Sequence, residues 1–323
     1  MLTVSLKRWI IGLLPILAIA IFSIAPALQV SSQATTPGQG LEISPPLIEQ
    51  NVDPGQNLTL SVRLRNITQD TLIVKTRVDD FAAEGEDGQP KLLLDDTQET
   101  SYGLKDWVGP VADLTLKAQE VREVEVPLNV PADASPGGHY GVIRFSGVPP
   151  DQRDTGLSLS ASIGPLVLLT VSGDINEQAA VEEFSVSQDG QSGNQFSSGP
   201  LTISERIANI GNVHVKPIGV VKIKNLFGQE VASLPVNEAG GNVLPDSVRK
   251  FEQALAKTPL LGRYTADLEL TYGDNQTLAA TTTFWAVPYQ WLAIALVGLI
   301  VLVVVLRFGL RSYKRSVISH NQP

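Results

Sequence analysis

The ten residues NLTLSVRLRN (57 to 66) set Leu58, Leu60, Val62 and Leu64 against Thr59, Ser61, Arg63 and Arg65. Such a period of two buries one face only in a β-strand, because a helix would scatter the same side chains around its axis. TLIVKTRVD, EVREVEVPLNV and GGHYGVIRFSG continue the alternation or are rich in β-branched and aromatic residues. Turn chemistry separates them at Asp53-Pro54-Gly55, Asp87-Gly88 and Pro136-Gly137-Gly138. A second series runs from about Gln178 through AAVEEFSVSQ, PLTISERIANIGN, PIGVVKIKNLFGQEVASLPVN, SVRKFEQAL, GRYTADLELTYGD and TLAATTTFWAV, with a hairpin at Phe227-Gly228-Gln229. No amphipathic helix of more than two turns interrupts either series.

Short strands at this spacing predict an all-β chain of two tandem immunoglobulin-like β-sandwich domains, 35–174 and 175–286. The polar stretch 187–199 then reads as a loop inside the second. The two series echo each other: a strand ends in Asn66 in the first and in Asn209 in the second, and Gly138-His139-Tyr140 matches Gly262-Arg263-Tyr264.

The ends of the chain belong to a membrane. Lys7 and Arg8 precede an apolar run from Trp9 to Ile24 and then small residues, the order of a secretory signal peptide over residues 1–34. Cleavage after Ala27 and after Ala34 both satisfy the small-x-small rule, and an uncleaved anchor is the alternative. At the other end Tyr289–Leu306 is uncharged and is followed by Arg307, Arg311, Lys314 and Arg315, while Trp285, Tyr289 and Trp291 gather at its start. Aromatic rings at one end and cations at the other predict a transmembrane helix over 287–308, with a basic cytoplasmic tail at 309–323. The exported part then carries 18 basic residues against 33 acidic ones, a balance of −15. That field disfavours nucleic acid and anionic polymers.

Cysteine is absent, which removes thiol catalysis and thiolate metal sites and leaves the cores to hold the domains. Two exported histidines, His139 and His214, are too few for a zinc centre. Ser247-Val248-Arg249-Lys250 matches the Ser-x-x-Lys string of penicillin-binding enzymes but lacks its Ser-Asp-Asn and Lys-Thr-Gly partners. The acidic stretch EGEDGQPKLLLDD (84 to 96), preceded by Asp79 and Asp80, raises the question of calcium, yet its spacing fits a solvated hairpin loop better. Three glycosylation sequons, at Asn57, Asn66 and Asn275, read as strand-end residues. The glycines before His139 read as a turn feeding a strand, because no helix N-terminus follows to cradle an anion. No catalytic residue, cofactor or metal is therefore expected, and the chain reads as a non-enzyme. The candidate binding side chains are Trp107, His139 and Tyr140.

Several of these strings carry a resemblance. ISPPLIEQNVDPGQNLTLSVRLRN, Asp106-Trp107-Val108 and VPADASPGGHYGVI resemble the first domain of the bacterial WxL-interacting proteins. RIANIGNVHVKPIGVVKIKNLFGQEV and VLPDSVRKFE are similar to their second. The resemblance implies a single-pass protein of the bacterial cell membrane whose first domain is associated with peptidoglycan and whose second is associated with secreted WxL proteins. The 84–96 and 187–199 stretches do not match. The resulting expectation is a scaffold holding a cell-wall component or another exported surface protein near the membrane. A membrane-tethered assembly or secretion chaperone for exported or pilus-like subunits is the other reading.

Overall fold

The computed structural model describes residues 40–95, 100–150, 162–197, 199–255 and 261–319, with the backbone alone from 309. The expected signal peptide and the last four residues lie outside the described residues.

The alternation read at 57–66 is realised in strand β3. In chain order the strands are β1 (Leu41–Ser44), β2 (Leu47–Val52), β3 (Asn57–Asn66), β4 (Leu72–Glu84), β5 (Gln89–Leu93), β6 (Leu114–Leu116), β7 (Val121–Asn129), β8 (Gly137–Val148), β9 (Ser162–Ile163) and β10 (Leu166–Val171). One sheet has the order β1-β3-β7; the other has β2-β10-β8-β4-β5, with β6 on β4 and β9 on β8. Leu60, Val62 and Leu64 of β3 meet Val124, Val126 and Leu128 of β7 and Ile143, Phe145, Val167 and Leu169 from the facing sheet in one apolar core.

The remaining strands are β11 (Ala179–Gln188), β12 (Gln191–Gly193), β13 (Gln195–Phe196), β14 (Leu201–Asn209), β15 (Ile218–Asn225), β16 (Glu230–Val236), β17 (Ser247–Leu255), β18 (Gly262–Tyr272) and β19 (Gln276–Ala286). They form sheets of order β12-β11-β14-β17 and β13-β19-β18-β15-β16 around a second core that includes Ile203, Ile207, Val221, Ile223, Leu268 and Phe284. The stretch 187–199, expected as a loop, holds the short strands β12 and β13.

Strand order gives both sheet pairs the same immunoglobulin-like topology. In each, the first segment of chain pairs antiparallel in the smaller sheet, as β1 with β3 and β11 with β14. It then crosses over to lie parallel to the last strand of the larger sheet, as β2 beside β10 and β13 beside β19. The matching asparagines do matching work: Asn66 donates to the carbonyls of Asp70, Leu116 and Lys117, and Asn209 to those of Val213 and Val243. Each amide ties the end of one strand to the loops around it, satisfying carbonyls that the sheets leave over.

After β19 only Val287 and Pro288 precede helix α1 (Tyr289–Ser319). Its segment Tyr289–Phe308 is 20 residues of mean hydropathy 2.8 with no part buried against protein, long and apolar enough to cross a membrane. The helix continues without a break to Ser319, so the basic residues that follow the apolar segment lie on the same helical backbone.

Candidate functional site

Period two splits the neighbours His139 and Tyr140 onto opposite faces of β8. His139 turns to the first core's rim, 5% exposed, with its ring nitrogens 3.1 Å from the carbonyl oxygen of Gly103 and 2.9 Å from that of Ser135. Trp107, on a one-turn 3-10 helix (Lys105–Trp107), is half-buried against the same core, its ring centroid 4.3 Å from that of His139. Tyr140 points the other way and is 1% exposed, packed with Phe81 and Leu168 and against Tyr102 and Leu244. The three residues are therefore close in the fold, but His139 and Tyr140 offer almost no surface to a partner.

Tyr140 marks where the larger sheet of the first pair meets the second pair. Its hydroxyl lies 3.4 Å from Nδ1 of His214, and burial drives the phenol's pKa upward while pressing that of His214 down to about 4. The Tyr102 hydroxyl donates to Asp246 at 2.9 Å. Gly138 N–H donates to the Asn212 carbonyl at 2.7 Å, which explains the two glycines before His139: a Cβ at Gly137 would stand 2.4 Å from that oxygen, and one at Gly138 would overlap the Tyr140 hydroxyl. The turn is a close approach of two backbones, which needs glycine for space as well as for curvature.

Two charged contacts complete the junction. Glu49 of β2 accepts from Lys216 at 2.5 Å and from Asn242 at 2.8 Å; burial raises its pKa, but these bonds outweigh it and the net shift is downward. Glu86, at the tip of the β4–β5 hairpin, takes two bonds from Arg206 of β14, at 2.8 and 2.6 Å, and its carbonyl accepts from Lys250 N–H on β17 at 2.7 Å. Arg206 also reaches Glu182 at 3.1 Å. The acidic stretch forms the hairpin expected of it, with Glu84, Asp87 and Gln89 exposed, and Glu86 at its tip adds a clamp between the sheet pairs. The neighbouring carboxylates Asp79 and Asp80 are also engaged: Asp80 accepts from the N–H groups of Leu104 and Lys105, and Asp79 pairs with Arg144 at 2.6 Å. Among the described residues no group of three or more His, Asp or Glu side chains is placed to hold a metal.

Beside the clamp opens a cleft of about 250 Å³. Its floor is the outer face of the first larger sheet, with Leu47, Phe81, Ala83, Pro90, Leu166 and Leu168; its far wall is the backbone of 239–242, Leu244 and Arg249. Arg249 is held by a bond to the Asn242 carbonyl at 2.8 Å and lies 5.3 Å from the Phe251 ring centre; burial lowers its pKa. Ser247 and Lys250, the ends of the Ser-x-x-Lys string, sit on strand β17 and not at a helix start. The Ser247 hydroxyl donates to the Leu244 carbonyl and Lys250 pairs with Glu252. The cleft residues gave no local signal in the sequence because they come from both sheet pairs.

No protein-family model matches this chain, and no curated protein matches it. Among solved structures, a chaperone–tip adhesin complex of CFA/I fimbriae biogenesis aligns at TM-score 0.39 and 12% identity, over 76% of this chain and 99% of that one. The class 5 fimbriae chaperone CfaA aligns at 0.38 and 12%, over 75% and 98%. The CsuC–CsuE chaperone–tip adhesion subunit complex of Acinetobacter baumannii aligns at 0.36 and 13%, over 76% and 99%. Likeness at these scores carries no argument, and the fold stands on its own strand order.

Proposed function

We propose that this chain is a non-enzymatic, single-pass protein of the bacterial cell membrane, with its β-sandwiches exported and its C-terminal residues in the cytoplasm. Its task is to hold an extended, apolar segment of another exported protein. The two sheet pairs act as two domains divided in the segment between β10 and β11. The observation that carries this reading is the apolar cleft beside β5. This strand pairs only with β4 among the described residues, so its other edge is free to accept a strand. Phe81 and Ala83 lie opposite Leu92 and Pro90, so alternate side chains of an added strand would fall onto the cleft floor.

This is the assembly or secretion chaperone reading in preference to the wall scaffold. Glycan strands bind on aromatic faces open to solvent, whereas Tyr140 is buried and Trp107 is half-buried with one face against His139.

The test is a photo-crosslinking residue placed at Ala83, on the cleft floor, and separately at Glu125, an exposed position on β7, in cells making the full chain. Adducts with a small set of exported proteins from position 83 only support the reading. Adducts with wall fragments, or the same products from both positions, overturn it.

A further inference from the structure

The membrane-facing end of the second sheet pair carries apolar surface that nothing in the fold covers. Phe227, at the tip of the β15–β16 hairpin, is 85% exposed, and its neighbour Leu226 is 65% exposed. The tip is held firmly: the Asn225 side-chain oxygen accepts from Phe227 N–H and Gln229 N–H, both at 3.0 Å, and Gly228 closes the turn with φ +76°. A loose loop could fold such residues inward; this one presents them.

Register fixes where they point. Asn225 lies opposite Tyr264, Tyr264 opposite Phe284, and Gly262 opposite Ala286. The tip, one to three residues past Asn225, therefore reaches the level of Ala286, where the chain leaves β19. From there Val287 and Pro288 alone lead to α1, a reach of at most about 11 Å from Ala286 to Tyr289. The headgroup layer on each side of a bilayer is itself about 5–7 Å deep. Trp285, 47% exposed, stands opposite Arg263 at this same level, and Arg263 with Lys224 lines a hollow of about 220 Å³ beside Leu226. Lys224 is paired with Asp267 at 2.9 Å, which leaves Arg263 as the cation beside the exposed apolar side chains and Trp285, a composition that settles at a bilayer interface.

We infer that the β15–β16 hairpin is a second membrane contact: Leu226 and Phe227 insert into the interfacial layer, with Trp285 and Arg263 at the headgroups, so that the sandwich rests on the bilayer instead of swinging from α1. The inference rests on α1 being the anchor proposed above.

The chain has no cysteine, so single labels are straightforward. Full-length Gln229→Cys, Asp274→Cys and Leu296→Cys variants, carrying an environment-sensitive dye, are reconstituted in vesicles of equal parts phosphatidylcholine and phosphatidylglycerol containing nitroxide-labelled lipids. Position 229 reports the tip, 274 the opposite end of the sandwich, and 296 the helix. Shallow-nitroxide quenching several-fold stronger at 229 than at 274, abolished by adding Phe227→Asp, is the expected result. Equal, solvent-like signals at 229 and 274 with deep quenching at 296 overturn the hairpin contact and leave the anchor standing. A solvent-like signal at 296 overturns both.

Discussion

Gln253 donates its side-chain amide to Glu205 at 2.9 Å on the inner face of the second smaller sheet, and the glutamate is 0% exposed. Glu205 Oε2 and Gln253 Oε1 are left without a donor. A protonated carboxyl would carry a donor of its own at Oε2, where a carboxylate can only accept. Burial pushes the Glu205 pKa up to about 7, against the opposing pull of the Gln253 bond.

The folded chain therefore binds a proton at Glu205 that the unfolded chain releases near its ordinary value of 4.5. This contribution is whole below that value, declines as pH rises toward 7, and stays lost above it. The difference amounts to about 3 kcal/mol at most. Urea unfolding between pH 4 and 8 should show that decline, and Glu205→Gln should flatten it. A profile unchanged by the substitution would remove Glu205 as its source.

His214 acts in the opposite sense. Burial is the main cause lowering its pKa to about 4 from 6.5, so its neutral form favours the folded state. This contribution is complete above 6.5 and is lost as pH falls toward 4. Because the ring meets Tyr140 across the junction, acid should loosen the contact between the sheet pairs first. Titration of the His214 ring resonances should give a midpoint well below that of a free histidine, and a midpoint near 6.5 would contradict the burial.

Glu86→Ala should leave each core intact but release the hairpin from Arg206. Spin labels on the two sheet pairs are expected to show a broadened distance distribution with little change in melting temperature. An unchanged distribution would mean that the Gly138–Asn212 and Glu49–Lys216 contacts suffice.

Gly137→Ala should be costly out of proportion to its size. The backbone there has φ +120°, and the new methyl would stand 2.4 Å from the Asn212 carbonyl oxygen. A loss of about 1–3 kcal/mol is expected for strain of this kind, read as a lowered unfolding midpoint.

Most of the strand pattern was legible because it is local. The alternation of β3 and the paired asparagines 66 and 209 needed only a few residues of context. Glu205 was also within reach: it shares the inward side of β14 with Leu201, Ile203 and Ile207, a carboxylate on an apolar stripe. The junction was not legible. Glu86 and Arg206 are 120 residues apart, and nothing near either marks its partner. Trp107, His139 and Tyr140 drew notice as aromatic rings beside glycine turns, a description that suits packing as well as binding.

The parallel pairing of β13 with β19 has a mechanical meaning. The chain reaches the second sandwich at Ala179, beside Tyr272 at one end, and departs through Ala286 at the other. If the chain works as proposed, tension between a client in the cleft and the anchored helix would pull β11 and β19 in opposite directions. The bonds of β19 to β18 and β13 then resist as a set, in shear, rather than opening one at a time like a zipper. A chain loaded along these strands could be tugged hard without coming undone.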